Sequence, residues 1–223
     1  MRRKFCGGIG LFAAAVAGAG AAGAADLAVK TPVYKAPPVI LSDWAGFYIG
    51  VNGGYGWDSS TIARVNDNNV NLGTFPVRPK GGLVGGHAGY NWQYGSVVTG
   101  LEVDIDAADI TGTDSFNHTV TLKTDTLASA RARLGYAVLP NLLVYGTGGA
   151  GLAHSTVATL NAPTVAASQV GWVAGAGLEY KIWGNFIARA EYLHYDFGET
   201  STTHGYNFVE KVDTVRGGLS YKF

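Results

Sequence analysis

From Trp44 onward apolar and polar residues alternate with a period of two, and the alternation continues to the last residue. In "GFYIGVNGGYGW", Phe47, Ile49, Val51, Tyr55 and Trp57 share one face, and Tyr48, Asn52 and several glycines take the other. In "GGLVGGHAGYNWQY", Val84, Ala88, Tyr90 and Trp92 stand against Leu83, His87, Asn91 and Gln93. The contrast is sharpest in "VVTGLEVDIDA", where Val97, Leu101, Val103, Ile105 and Ala107 alternate with Glu102, Asp104 and Asp106. Successive side chains of a strand point to opposite faces, so each stretch predicts a strand with one apolar and one polar side.

Five more segments behave alike. About Thr119 to Ala137, Ala128, Ala130, Ala132, Leu134 and Tyr136 oppose Asp125, Ser129, Arg131 and Arg133. "LLVYGTGGAGLA" and "QVGWVAGAGLEY" are glycine-rich strands, the second placing Glu179 opposite Trp172, Leu178 and Tyr180. "NFIARAEYLHYDF" sets Arg189 and Glu191 against Phe186, Ala188, Ala190 and Tyr192. The ending, from about Phe208, puts Val215, Leu219, Tyr221 and Phe223 on one side and Arg216, Ser220 and Lys222 on the other. Eight strands is an even number and the smallest count for a membrane barrel. The connections alternate between long or intermediate (58–80, 155–168 and 198–207 long, 112–118 intermediate) and tight or short (95–96, 139–141, 181–184). A soluble sandwich has no reason for that alternation, whereas outer-membrane barrels have short periplasmic turns and longer external loops. The pattern predicts an all-β, eight-stranded antiparallel up-and-down transmembrane β-barrel over 44–223, with both termini periplasmic. Trp44, Trp92 and Trp183 then fall at periplasmic strand ends and Trp57 and Trp172 at external ends, as two aromatic girdles.

Composition sharpens this picture. Charged residues are only 14% and there are 33 glycines, against about 25% charge in a soluble domain. No run of about 18 apolar residues follows the N-terminal region, so a membrane is crossed by strands or not at all. "MRRKF" followed by "GGIGLFAAAVAGAGAAG" and "AGAAD" reads as a secretory signal peptide over 1–25. Residues 26–43, with three prolines, read as a periplasmic tether. Cys6 precedes the apolar segment, so the processed chain carries no cysteine and no disulfide. Arg2, Arg3 and Lys4 leave with the signal from a chain of 16 basic and 16 acidic residues, and the mildly acidic remainder gives no reason to expect nucleic acid.

The polar face of the barrel carries Glu102, Asp104, Asp106, Asp125, Glu179 and Glu191, opposed by Arg131, Arg133, Arg189, Arg216 and Lys222. Buried ions must be paired, and the guanidinium fork suits carboxylates. An eight-stranded lumen is just wide enough for side chains to fill. The charges therefore read as an ion-pair plug built from Glu102, Asp104, Asp106, Arg131, Arg133, Glu179, Arg189, Glu191 and Arg216, with a narrow permeation path as the alternative.

"DWAGFYIGVNGGYGW", "ARARLGYAVLPNLLVYGTGGAGLA", "WVAGAGLEY", "ARAEYLHYDFG" and "VRGGLSYKF" resemble the small outer-membrane β-barrel proteins of rhizobia and brucellae. These are porin-like surface antigens that share an eight-stranded barrel with the OmpA transmembrane domain. The resemblance covers Trp44 to Phe223 and implies outer-membrane localisation, lipid and lipopolysaccharide as surroundings, and a structural, non-enzymatic role with variable external loops that meet any external ligand. The terminal Leu219, Tyr221 and Phe223 are similar to the aromatic C-terminal signature through which such proteins engage the barrel-assembly machinery.

Some relatives of this kind bind haemin. His118, His154 and His204 lie in or beside external loops and His194 near an external strand end, leaving only His87 mid-barrel. Imidazoles can ligate haem iron, so haemin binding stands as a further alternative, although the spacing matches no metal motif and the expectation is no cofactor and no metal. His154 with Ser155, and His194 with Asp196, are the pairs an enzyme would use. Neighbours on a strand face opposite ways, no nucleophile elbow accompanies them, and catalysis is not expected.

Overall fold

The computed structural model describes residues 43–58, 61–65, 71–76, 78–113, 120–159, 162–201 and 206–223, all within one unit, Val39–Phe223. The signal peptide read at 1–25 and the tether read at 26–43, apart from Asp43, lie outside the described residues. Ten strands follow in order: β1 Gly46–Asp58, β2 Thr61–Val65, β3 Asn71–Pro76, β4 Lys80–Tyr94, β5 Val97–Thr113, β6 Val120–Leu139, β7 Leu142–Thr159, β8 Ala162–Trp183, β9 Phe186–Ser201 and β10 Tyr206–Lys222. Eight of them form the barrel. β1 pairs with β4, each later strand pairs antiparallel with the next, and β10 returns to β1, so the sheet closes. The closing seam runs from Tyr48 against Lys222 to Asp58 against Val212.

Closure satisfies every strand edge within the bilayer, which a spanning sheet requires. Three two-residue turns, Gly95-Ser96, Pro140-Asn141 and Gly184-Asn185, mark one end. Gly95 and Gly184 have φ of 63° and 55° at the first turn position, the left-handed conformation that matches strand twist in tight hairpins. At the opposite end the long connections differ from expectation. The 58–80 segment holds the hairpin β2–β3, with β2 paired to the external end of β10. The segments read as loops at 155–168 and 198–207 are largely strand, since β7 runs to Thr159, β8 starts at Ala162 and β9 runs to Ser201. A tilted crossing needs about 9–11 residues, and strands of 16 to 22 residues carry their hydrogen-bond ladder beyond it.

Side-chain exposure follows the alternation. Leu101, Val103 and Ile105 of β5 are 57%, 57% and 62% exposed, while Glu102, Asp104 and Asp106 between them are 1%, 6% and 1%. A chain that exposes its aliphatics and encloses its carboxylates is inverted for water and correct for lipid. Trp57, Trp92, Trp172 and Trp183 face outward as expected of girdles. Trp44 does not. It is buried with Val98, Leu143 and Ile187 inside the turn-side mouth, because it precedes β1 and folds across the opening, with Lys181 Nζ 4.5 Å from its ring.

One break in the alternation matters. The β6–β7 register shifts between Thr124 and Thr126, so Asp125 is a bulge residue and parity reverses beyond it. Asp125, expected in the lumen, instead pairs with Lys123 Nζ at 3.1 Å outside, and Thr124 turns inward, fully buried. Bulges re-aim side chains in this way.

Candidate functional site: the filled lumen

The inward faces of the barrel strands contribute polar side chains to a single network, three each from β5 and β6. Direct cross-strand partners set its frame: Glu102 opposite Arg131, Glu191 opposite Arg216, Glu179 opposite Arg189. Glu102 lies at the centre. It accepts from Arg131 Nη2 at 2.5 Å, Arg189 Nη2 at 2.9 Å, Arg133 Nη1 at 3.2 Å and the Tyr48 hydroxyl at 2.7 Å. Glu191 accepts from Arg131 Nη1 at 3.0 Å, Arg216 Nη2 at 2.8 Å and the Tyr145 hydroxyl at 2.9 Å. Asp104 joins Arg131 and Arg216, each at 2.9 Å, and also takes the Ser129 hydroxyl. Asp106 receives Arg216 and Asn52, and Glu179 receives Arg133 Nη2 at 2.7 Å.

All nine residues read from the sequence as a lumen network are thus brought together. Lys222, expected among the opposites, is not part of it: it reaches Asp43 at the turn-side rim, 3.2 Å away. Sequence reasoning missed the neutral weave. Tyr48 and Tyr145 flank Arg133, whose guanidinium carbon lies 4.0 Å from the Tyr145 ring centroid. His87 bridges Asn52 Oδ1 at 3.2 Å and Ser220 Oγ at 2.7 Å. Aromatic hydroxyls at inward positions between charged ones were the available signal.

Two apolar layers enclose this network. The Trp44 cluster closes the turn side. Towards the external end Leu83, Ala108, Ile110, Leu127, Ala153, Val173, Leu193, Tyr195, Phe197 and Val212 form one buried cluster across the bore. Beyond it Glu210, wholly buried, accepts from Ser155 Oγ at 2.9 Å, Thr124 Oγ1 at 3.1 Å and Gln169 Nε2 at 2.5 Å. Neither the apolar layer nor the Glu210 group was read from the sequence.

The histidines are not gathered. His118 and His204 lie outside the described residues. His154 is exposed on the outer face of β7 with Ser168 Oγ at 3.1 Å, while Ser155 points inward to Glu210. His194 bonds Asp213 Oδ1 at 2.7 Å, and Asp196 pairs instead with Lys211 Nζ at 2.9 Å. Neither pair suggested for catalysis is a hydrogen-bonded pair.

A closed eight-stranded barrel with a lipid-facing girdle and a charged core has counterparts. The family model for the outer membrane protein beta-barrel domain matches residues 12–223. The chain belongs to that family. A 31 kDa outer-membrane immunogenic protein of Brucella melitensis is 38% identical over 226 residues, covering 90% of this chain and 92% of the relative. A 22 kDa outer membrane protein of Rhizobium leguminosarum bv. viciae is 31% identical over 85% of this chain and 82% of its own length. Among solved structures, the outer membrane protein OprG from Pseudomonas aeruginosa aligns with a TM-score of 0.55 at 10% identity, over 80% of this chain and 96% of that one; at that identity the likeness speaks for the fold alone. The chain therefore resides in the outer membrane, and the names of these two relatives are those of an immunogenic outer-membrane protein and an outer membrane protein.

Proposed function

We propose that the protein is a structural barrel of the outer membrane, closed to bulk permeation, that supports the envelope and meets lipopolysaccharide and external ligands through the strand extensions and loops of its external end. The observation that carries this reading is the stacking in the bore: five carboxylates and four guanidiniums interlocked at hydrogen-bond distance, with an apolar layer on either side. Water and ions need a continuous polar path, and the layer of Leu127, Leu193, Phe197 and Val212 interrupts it. Recording from the purified protein in a planar bilayer should give a baseline without stepwise openings at high salt. A steady conductance from single barrels would overturn the closed reading in favour of a narrow pore.

The same proposal assigns Leu219, Tyr221 and Phe223 to engagement of the barrel-assembly machinery. Their side chains face outward: the Phe223 ring sits 5.8 Å from Phe47 and 5.2 Å from Tyr221, and its backbone amide donates to the Phe47 carbonyl at 2.9 Å. Deleting Phe223 should leave the protein exported but poorly inserted, seen as loss of the heat-modifiable folded band and of surface exposure. Normal insertion of the truncated chain would remove the assignment.

A further inference from the structure

Glu210 presents a different problem from the acids of the central network. Its carboxylate is wholly buried, and among the described residues its recorded partners are two hydroxyls and one amide, with no cation. A buried carboxylate without a counter-charge is costly. Each central acid meets at least one guanidinium; this one lies beyond the apolar layer, towards the external end of the barrel.

Two backbone irregularities converge on it. The β6 bulge at Asp125 reverses parity and brings Thr124 inward; regular alternation would have sent that hydroxyl outward. On β9, Phe197 and Gly198 stand against the single residue Glu210, where the β9–β10 register shifts between Val209 and Lys211, and Gly198 takes φ of 71°. Bulges are concentrated at barrel rims and beside functional sites, where they re-aim side chains. Two of them at one level, on strands that contribute to or face the same group, form a built arrangement.

The oxygens themselves have a recognisable spacing. Thr124 Oγ1, Ser155 Oγ and Glu210 Oε1 are mutually 3.1, 2.9 and 3.3 Å apart. Along an octahedral edge, ligand oxygens lie about 2.8–3.0 Å apart around Mg²⁺ and about 3.3–3.7 Å apart around Ca²⁺. The triangle's edges run from the first range to the start of the second, so small shifts fit one face of either shell. Gln169 stands at the second carboxylate oxygen and can present its amide oxygen by turning over. Waters from the external side would complete the coordination.

The geometry points to a divalent-cation site of the Ca²⁺ or Mg²⁺ class formed by Glu210, Thr124, Ser155 and Gln169 at the external end of the lumen. Hydroxyl, amide and carboxylate oxygens are hard ligands and select these ions over softer metals. With one carboxylate the affinity belongs to the weak class of extracellular sites, about 0.1–1 mM. The ion would tie β6, β7, β8 and β10 together where they leave the bilayer.

The test uses the folded full chain in neutral detergent micelles, where no anionic lipid competes for cations. Thermal unfolding is followed in EDTA and in a titration with CaCl₂ or MgCl₂. A saturable rise in midpoint of about 3–6 °C is expected at ten times Kd, with the ion giving the lower half-point identifying the better fit. Glu210→Gln should abolish the rise. Ser155→Ala, which keeps the charge, should raise the half-point several-fold and serves where Glu210→Gln does not fold. A parent with no saturable rise overturns the site. An equal rise in Glu210→Gln, or an unchanged half-point in Ser155→Ala, overturns it too, by placing the ion at surface acids such as Asp109.

Discussion

Glu102 and Glu210 are both wholly enclosed carboxylates in one lumen, and they are satisfied by opposite means. Glu102 sits among Arg131, Arg133 and Arg189; Glu210 sits among Thr124, Ser155 and Gln169. The apolar cluster around Leu127 and Val212 separates them. In the centre every acid meets at least one guanidinium of the same sheet, five carboxylates to four arginines, so most of the charge is met on the spot. At the external end the hydroxyls supply hydrogen bonds but no charge. The difference teaches that burial alone does not define a role: a cluster of guanidinium-paired acids locks the strands, whereas an acid held by neutral hydroxyls and an amide leaves a charge for something else to meet.

The largest test of this contrast is to break the central side. Arg131 bonds Glu102, Asp104 and Glu191 at once, so Arg131→Ala takes one guanidinium from each of three buried acids and leaves five carboxylates to three arginines. Removing one partner from a buried ion cluster costs about 3–5 kcal/mol, and the urea midpoint of the folded barrel should fall accordingly. Glu210→Gln in EDTA keeps the hydrogen-bonding shape and removes the unmatched charge, so its midpoint should move by less than about 1 kcal/mol. Equal losses from the two changes would erase the distinction.

Much of this was legible in the sequence because period-two alternation and tight turns together fix register. The acids of "VVTGLEVDIDA" and the arginines of "ARARLGY" fall on the inward faces of neighbouring strands, so that the two sets face each other could be read without coordinates, while the exact pairing of Glu102 with Arg131 depends on a register shift between Ala107 and Ile110 that the pattern does not show. The alternation fails where the backbone departs from it. Asp125 was expected inside and stands outside because one bulge residue flips everything beyond it. Trp44 was expected in a girdle and fills the mouth because it lies before the first strand, where no periodicity governs direction. Glu210 gives no sign of its surroundings, since its partners lie 41, 55 and 86 residues away on three other strands. The external strand ends were read as loops because polar, small residues carry a ladder as well as apolar ones once no lipid face has to be covered.

The smallest effect expected completes the gradient from buried to exposed charge. At the turn-side rim Lys222 Nζ lies 3.2 Å from Asp43 Oδ2, and the Asp43 side chain is 73% exposed. Slight burial works against ionisation of Asp43, but hydrogen bonds from Lys222 and from the Ala45 amide outweigh it and hold the carboxyl below its ordinary value. A lowered folded-state value means that the contribution is fully present above the ordinary aspartate range, about pH 3.9, and is lost as the pH falls through the lowered value. Solvent and salt screen such a pair to about 0–1 kcal/mol. Lys222→Ala should therefore shift the urea midpoint barely at pH 7 and not at all in high salt, with any difference from the parent vanishing on acidification. A loss of several kcal/mol would mean that Lys222 holds Trp44 in the mouth, and the rim would then belong with the locked centre instead of with the surface.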